Sequence, residues 1–283
     1  MSYQLTRLTS DVCFGEAPRW RDGKLWFSDI RGHKVKTVDL NGVVETILAT
    51  DFEPSGLGWL LDGSMVVVSM IDHCVMRYDG EALTKLADVS HLSGGKLNDM
   101  VVDQFGHIYM SNLGYDYEKG EERVTTNIVR VDADGSSQAA TPGVLCPNGM
   151  AITADGKTLI VGQSASAEVL GFDLAKDGTV SNRQVYAELP EGRIADGICV
   201  DAEGAVWVAS PITKEFVRIK KGGEVTDIIS TGERHAIACM LGGEDRKTLF
   251  CMTSAGIHLS ASPEVLEGAI EIATVDVPGA GWP

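Results

Sequence analysis

A nine-residue phrase recurs along the chain and constrains its fold more than any other feature. Each clear copy begins with a small or polar residue, continues through apolar residues and closes on Gly eight positions later. The clear copies are SGLGWLLDG (55–63), NDMVVDQFG (98–106), NGMAITADG (148–156) and DGICVDAEG (196–204). Two weaker copies are EAPRWRDG (16–23) and ACMLGGEDR (238–246). Six copies spaced by roughly 40–50 residues indicate a repeat architecture.

A second run rich in β-branched and aromatic residues follows every copy of the phrase. These runs are KLWFSDI (24–30), SMVVVSM (64–70), HIYMSN (107–112), KTLIVGQ (157–163), AVWVAS (205–210) and KTLFCMT (247–253). Because tight-turn residues separate each pair of runs, the pairs are predicted to be hairpins. Further strands follow, such as 34–40 and 43–49, which Asn41-Gly42 joins. The pattern predicts an all-β fold, a six-bladed β-propeller with four-stranded antiparallel blades.

The two ends of the chain are predicted to close the ring of blades. A strand near residues 3–9 would pair with the last strands near 269–277, and this closure would remove the exposed sheet edges. No low-complexity segment or shift of composition interrupts the repeats. We therefore expect residues 1–283 to form a single propeller domain.

Composition excludes several classes of partner and site. The formal net charge is −16, which disfavours binding to nucleic acid and to anionic membranes. No apolar run approaches the ~20 residues of a membrane span, and MSYQLTRLTS does not resemble a signal peptide, so a cytoplasmic protein is expected. The six cysteines form no C-x-x-C pair and the histidines have no H-x-x-x-H spacing. Reduced core thiols are therefore expected, and a zinc site built from His or Cys is not.

The first position of the phrase is the candidate functional feature. In a propeller the innermost strand of each blade lines the central channel, so equivalent positions lie on one circle around the axis. Asn and Asp are also common at strand starts for local reasons, because they bond to nearby backbone. Two carboxylates and two amides on one axis favour a shared role instead. The six positions are Glu16, Ser55, Asn98, Asn148, Asp196 and Ala238.

Oxygen ligands of this kind predict one divalent metal ion at the axis. Two uncompensated buried carboxylates would cost several kcal/mol each, and a cation would neutralise them. Hard oxygen donors favour Ca²⁺, with Mg²⁺, Mn²⁺ or Zn²⁺ as alternatives. Since Ca²⁺ takes about 6–8 oxygens, four protein ligands would leave positions for water and substrate.

The ends of the second hairpin strands are expected to form the rim of the same pocket. They carry many hydroxyl and amide groups. These groups either bond a polyhydroxylated or carbonyl ligand or are ordinary polar residues at the ends of strands. The rim set is Ser28, Asp29, Ser69, Met70, Ser111, Asn112, Gln163, Ser164, Ser210, Thr253 and Ser254.

The chain contains four longer motifs: GEAPRW (15–20), LNDMVVD (97–103), PNGMAITADGKTLIV (147–161) and DGICVDAEGAVWVA (196–209). They resemble the family that includes gluconolactonase, regucalcin (senescence marker protein) and, more distantly, diisopropylfluorophosphatase. The resemblance implies a catalytic divalent metal held by Glu16, Asn148 and Asp196, with Asn98 contacting the metal, its water or the substrate. Relatives in this family hydrolyse sugar lactones, aromatic lactones or phosphotriesters.

Two departures from the family pattern concern the substrate. Lys96 stands where gluconolactonase-like members often have Arg, and Lys lacks the bidentate fork of a guanidinium. The segment 111–126 does not match the expected substrate loop. Its Tyr115 and Tyr117 either cover the pocket and favour a less polar substrate, or are ordinary loop aromatics.

The predicted activity is metal-dependent hydrolysis of a sugar-acid or aromatic lactone. Asp196 is the candidate general base, hydroxide on the ion is the rival, and Asn98 and Lys96 would orient the substrate. Cys146 is near the pocket in sequence, but a packed core thiol is the expectation for it. The alternatives are a phosphotriesterase or another ester-transforming enzyme on the same site, and a non-catalytic calcium-binding or scaffold propeller. The sequence leaves the oligomeric state open.

Overall fold

Strands dominate the computed structural model, which describes residues 3–116, 119–257 and 265–281. They form six four-stranded antiparallel sheets, each a blade of the propeller. Blades 1 to 3 contain β2 (Gly15–Arg21), β3 (Lys24–Asp29), β4 (Lys34–Val38) and β5 (Val44–Ala49); β6 (Pro54–Trp59), β7 (Met65–Ser69), β8 (Cys74–Tyr78) and β9 (Leu83–Asp88); β10 (Leu97–Val102), β11 (Ile108–Asn112), β12 (Thr125–Val131) and β13 (Ser137–Leu145).

The remaining strands complete the ring. Blade 4 contains β14 (Pro147–Ile152), β15 (Thr158–Gln163), β16 (Glu168–Leu174) and β17 (Val180–Glu188). Blade 5 contains β18 (Ile198–Val200), β19 (Val206–Ser210), β20 (Glu215–Ile219) and β21 (Val225–Ser230). Blade 6 contains β22 (His235–Gly242), β23 (Thr248–Ser254), β24 (Gly268–Thr274) and, from the other end of the chain, β1 (Thr6–Thr9).

Burial changes from the axis to the outside of each blade. The second strand β7 is buried along its whole length, because neighbouring blades cover both of its faces, whereas the outer strand β5 contains only exposed and half-buried residues. Turn chemistry fixes the hairpins. Between β4 and β5, Gly42 has a φ of 83° and its N–H donates to the carbonyl of Asp39.

The ring closes as the sequence predicts. The first strands of the six blades contact one another in an unbroken circle, from β2 through β6, β10, β14 and β18 to β22 and back to β2. β1 pairs antiparallel with β24, with Thr6 opposite Ile272 and Arg7 opposite Glu271. The all-β, six-bladed propeller with four-stranded antiparallel blades is therefore confirmed.

A β-bulge marks the start of the phrase in the inner strands. The register of the innermost strand shifts by one residue at this point in blades 1, 2, 3, 4 and 6. In blade 5, Ala209 bonds to two consecutive residues of the inner strand. Its carbonyl accepts from Asp196 N, and its N–H donates to the carbonyl of Gly197. Because of the bulge, two consecutive residues of the inner strand point in different directions. One faces the axis and the other faces the neighbouring blade.

Strand pairing corrects the sixth position of the phrase. Asn148 directly follows the residue opposite Gln163 in blade 4. In blade 6, Thr253 is the equivalent of Gln163 and lies opposite Ala236. The residue that follows Ala236 is Ile237, so Ile237 is the equivalent of Asn148. Ala238, which the sequence places on the axis, is one residue beyond it. We call Glu16, Ser55, Asn98, Asn148, Asp196 and Ile237 the axial ring.

All six cysteines are buried and free of disulfide bonds, as expected for core thiols. Among the residues with described positions, the chain forms no helix with the length and hydrophobicity that a membrane span requires.

Candidate metal centre

The axial ring meets in a cavity at one end of the propeller. The cavity has a volume of about 240 Å³, and five of the six ring residues line it. Ser55 is fully buried beside it. Glu16, Asn98 and Asn148 are almost fully buried, and Asp196 is half-buried. Residues from five separate blades therefore face one small space.

Hydrogen bonds join neighbouring members of the ring. Ser55 Oγ donates to Asn98 Oδ1 at 3.3 Å, and Asn98 Nδ2 donates to Asn148 Oδ1 at 2.8 Å. Asn148 Nδ2 donates to Ser164 Oγ at 2.9 Å, and the Asn148 amide also lowers the pKa of the neighbouring Asp196. These contacts bring together side chains that are as much as 141 positions apart in the sequence, counted from Ser55 to Asp196.

The two carboxylates are in a setting that disfavours their charge. Burial raises the pKa of Glu16 well above its usual range, and the negative charge of Asp196 raises it further, while the N–H of Ala17 opposes the shift. Burial also raises the pKa of Asp196 to about 7, against the hydrogen bond from Asn148. Within the described part of the chain, no Lys, Arg or His side chain forms an ion pair with either group.

These donors fit a hard divalent cation. Among the described residues, no group of three or more His, Cys, Asp or Glu side chains is placed to bind a metal ion. An ion at the axis would therefore depend on the amide oxygens of Asn148 and Asn98 together with the carboxylates of Glu16 and Asp196. An all-oxygen set of this kind suits Ca²⁺, and the absence of His and thiolate donors from it disfavours Zn²⁺.

A buried ion pair beneath the ring was not anticipated from the sequence. Arg19 Nη2 donates to Asp99 Oδ1 at 2.7 Å, and both side chains are almost fully buried. The same Arg19 nitrogen also donates to the carbonyl of Met100, and Met150 N donates to Asp99 Oδ2 at 3.0 Å. The pair thus ties together β2, β10 and β14, which carry Glu16, Asn98 and Asn148. The sequence signals were an Arg inside GEAPRW and a second acid beside Asn98.

The predicted rim is mostly wrong. Of its eleven residues, only Met70 and Ser164 line the cavity. Others bond to the neighbouring blade instead, as Ser28 Oγ does to the carbonyl of Ser55 at 2.5 Å and Ser111 Oγ does to the carbonyl of Asp99 at 3.2 Å. Near the axis the space between blades is narrow, so small hydroxyl side chains fill it and satisfy backbone groups there.

In blades 1 to 5, one residue at an equivalent position of each blade lines the cavity. They follow the end of the second strand, and all but one are apolar: Ile30, Met70, Leu113, Ser164 and Pro211.

Lys96 lies beside the axial site, and Tyr115 lies between the two. Lys96 lines a neighbouring cavity of about 300 Å³ together with His73 and Lys119. Leu113 and Tyr115 line both cavities. Tyr115 therefore borders the axial pocket, as the alternative in which it covers the pocket requires. Tyr117 lies outside the described residues. A substrate contact from Lys96 stays a prediction.

Cys146 lines the axial cavity, whereas a packed core thiol is expected from the sequence. Its backbone has a φ of 48°, in the left-handed region, immediately before Pro147. Burial raises the pKa of its thiol to about 11, against a hydrogen bond with Tyr115. The thiol is therefore protonated near neutral pH and is a poor nucleophile.

Comparisons with known proteins agree in family and fold. A family model described as the SMP-30/Gluconolactonase/LRE-like region matches residues 14–256. The chain is 26% identical over 278 residues to a 6-deoxy-6-sulfogluconolactonase of Pseudomonas putida, covering 95% of this chain and 94% of that protein. It is 26% identical over 248 residues to regucalcin of Gallus gallus, covering 85% and 83%. A solved calcium-binding protein, regucalcin from Agrobacterium tumefaciens, has the same fold, with a TM-score of 0.83 at 21% identity over 100% of this chain and 97% of that one.

Proposed function

The chain belongs to the SMP-30/gluconolactonase/LRE-like family, and from this membership and the axial site we propose that it is a metal-dependent hydrolase that opens a lactone ring. One observation carries the proposal. Two carboxylates and two amides converge on one cavity with no cationic side chain paired to either acid among the described residues. A scaffold propeller has no need of such a costly arrangement. A relative named as a sulfogluconolactonase supports the lactone class.

Glu16, Asn148 and Asp196 would hold the ion, and Asn98 would contact it or the substrate. A bound divalent cation would supply Lewis-acid polarisation of the lactone carbonyl. The carboxylate of Asp196 would take a proton from an attacking water. The water oxygen bonds to the carbonyl carbon, the ring C–O bond breaks, and Asp196 returns the proton to the leaving alkoxide. The product is the open hydroxy acid.

The amide of Asn98 would position the substrate. Its Nδ2 donates to Asn148 and its Oδ1 accepts from Ser55, so its plane is fixed from both sides. A fixed amide at the base of the cavity can donate to the carbonyl oxygen as negative charge develops there.

The test is a hydrolase screen with the metal-free protein reconstituted with Ca²⁺, Mg²⁺, Mn²⁺ or Zn²⁺. Sugar lactones, aromatic and alkyl lactones, and phosphotriesters form the substrate arms. Turnover of a lactone that requires added metal is the expected result. Turnover of phosphotriesters alone would move the activity to the other ester class, and metal-independent turnover would overturn the mechanism.

Asp196→Ala should abolish turnover, by a factor of at least about 10³, while the protein stays folded. Asp155→Ala is the matched control. Asp155 lies in the turn that ends the nine-residue phrase of blade 4, whereas the axial residue Asn148 begins that phrase. Calorimetric titration should show Ca²⁺ binding to the control and not to Asp196→Ala. Full activity of Asp196→Ala would remove Asp196 from the mechanism.

A further inference from the structure

The axial cavity is polar at its base and apolar above it. The base consists of the axial ring, whose polar members are mostly buried. Above the ring the lining is largely hydrocarbon. We call these residues the apolar collar: Ile30, Met70, Leu113, Ile194, Pro211 and Ile212.

Exposure shows the direction from base to mouth. Asn98 is 6% exposed at the base and Ile212 is 58% exposed at the mouth. Ile30 N donates to the carbonyl of Phe14, two residues before Glu16, which places the collar one step outward from the ring. A substrate that reaches the ring with its carbonyl therefore leaves its remaining atoms against the collar.

Few polar side chains are left to bind hydroxyl groups at this level. Apart from the axial ring, the described lining residues with polar side-chain atoms are Tyr115, Cys146 and Ser164. Ser164 Oγ already donates to the carbonyl of Ala195 at 2.8 Å and accepts from Asn148. The Tyr115 hydroxyl and the Cys146 thiol interact with each other.

This distribution discriminates between classes of lactone. A sugar lactone presents a hydroxyl group on nearly every ring carbon, and each one buried against hydrocarbon loses its hydrogen bonds to water. An alkyl or aryl substituent loses nothing by leaving water and gains dispersion contacts with the collar. The flexible thioether of Met70, itself buried in the wall, can adapt to the shape of such a group.

We propose that the substrate is a lactone bearing an alkyl or aryl substituent, with its carbonyl at the axial ring and its substituent in the apolar collar. The inference rests on the proposed lactonase activity and narrows its substrate class. The reaction is the same hydrolysis, in which water adds to the carbonyl carbon and the ring C–O bond breaks to give a hydroxy acid.

A matched pair of six-membered lactones tests the proposal. δ-Decanolactone carries a pentyl chain, and glucono-δ-lactone carries hydroxyl groups on the same ring size. With the Ca²⁺-loaded protein, we expect kcat/KM to be higher for δ-decanolactone by about tenfold or more. Equal values, or a preference for the sugar lactone, would overturn the proposal.

Binding of the corresponding lactams separates this inference from the proposed activity. Lactams keep the ring and substituent but resist hydrolysis, so calorimetry reports the fit of the collar alone. If neither lactone is turned over, the lactonase proposal fails, and the lactams still decide on the collar. Tighter binding of the pentyl lactam supports it, and equal or undetectable binding of both lactams overturns it.

Two equivalent isoleucines give a variant with its control. Ile212 follows Pro211 at the mouth of the axial cavity, and Ile71 follows Met70 at the same position of blade 2 but lines the neighbouring cavity. Both are exposed, at 58% and 53%, so substitution should leave the fold intact. Ile212→Gln should lower kcat/KM for δ-decanolactone by about four- to tenfold. Ile71→Gln should leave it unchanged, and equal effects of the two variants would count against the collar.

Discussion

At the scale of single residues, the axial ring combines groups that are unfavourable one by one. Glu16 and Asp196 are enclosed without a paired cationic side chain, and burial raises the pKa of both. Asn98 and Asn148 add oxygens but no charge. The ring is therefore strained electrostatically as long as only protein atoms occupy it, and a cation would relieve that strain.

The stability of the metal-free protein should fall as the pH rises from about 4 to about 7. The usual pKa of Asp196 is 3.8 and its pKa in the folded protein is about 7, so within this window the folded state holds a proton that the unfolded state has released. The free energy of unfolding should decrease by up to about 4 kcal/mol, and by less where cavity water screens the half-buried group. Urea unfolding of metal-free protein at pH 4, 5.5, 7 and 8 measures the slope.

Saturating Ca²⁺ should reverse that trend, because binding requires deprotonated carboxylates and its stabilisation grows with pH. Asp196→Asn should flatten the metal-free slope and remove the effect of Ca²⁺. Asp155→Asn is the control, because hydrogen bonds lower the pKa of Asp155, which is opposite to the shift of Asp196. A metal-free stability that rises between pH 4 and 7 would contradict the prediction.

At the scale of strands, the bulge at the start of the phrase links each inner strand to the next blade. Gly149 N donates to the carbonyl of Asp196 at 3.1 Å, and Gly197 N donates to the carbonyl of Ile237 at 2.9 Å. The residue after each axial position therefore packs against neighbouring backbone, which explains why Gly is common there.

Gly149→Ala should disturb the axial site from outside it. An added Cβ would lie 2.5 Å from the carbonyl oxygen of Asp196 and 2.6 Å from Ile198 N, so backbone atoms must move. We expect a loss of about 1–3 kcal/mol in the free energy of unfolding. Ca²⁺ affinity should fall as well, since Asp196 is displaced. Gly256→Ala is the control, because its nearest neighbour is the side-chain end of Glu267 at 3.3 Å. Calorimetry and thermal unfolding compare the two, and unchanged Ca²⁺ affinity in Gly149→Ala would argue against this coupling.

The Arg19–Asp99 pair should matter both for stability and for the site. Asp99→Asn leaves a buried guanidinium without its counter-charge, which should cost about 3–5 kcal/mol. It also removes a negative charge near both axial carboxylates and loosens the strands that carry them, so Ca²⁺ binding should weaken.

A second buried pair separates these two effects. Arg218 Nε donates to Asp201 Oδ2 at 2.7 Å within blade 5, and both side chains are buried. Asp201→Asn should destabilise the protein to a similar extent but leave Ca²⁺ affinity unchanged. Equal Ca²⁺ affinity in the Asp99 and Asp201 variants would assign a purely structural role to the Arg19–Asp99 pair.

At the scale of the whole molecule, closure of the ring depends on a short strand. β1 has four residues, and it covers the outer edge of blade 6 by pairing with β24. Tyr3, Leu5 and Leu8 pack against the core cluster between blades 5, 6 and 1, and Tyr3 meets the Trp207 ring edge-on at 6.2 Å. The chain ends thus stabilise the same blade from both directions.

Removal of residues 1–10 should open the ring at blade 6. The truncated protein would expose the edge of β24 and lose the packing of the N-terminal apolar residues. We expect a decrease in Tm of about 10 °C or more and aggregation that increases with concentration. Arg7→Ala is the control, since it breaks the exposed 3.0 Å ion pair with Glu271 and an exposed hydrogen bond to Ser10, and should cost less than about 1 kcal/mol. Calorimetry and light scattering would detect both effects, and a truncated protein with the original Tm would show that closure is dispensable.

The sequence by itself determined the number of blades, the order of their strands and the five polar residues of the axial ring. These features follow from a local period, because each repeat contains its own strand pattern and turn residues. Asn148 could be placed beside Asp196 from the phrase alone, since equivalent positions of a closed ring must face the same axis.

Only the tertiary structure decided the details that depend on contacts between blades. The register of the bulge places Ile237 rather than Ala238 in the ring. Because the space between blades is narrow, hydroxyl groups of the expected rim bond to backbone carbonyls there and do not face the cavity. Arg19 meets Asp99 across 80 sequence positions, and Lys96 lines a different cavity. No local pattern encodes these outcomes, because each is set by how side chains from distant repeats compete for the same volume.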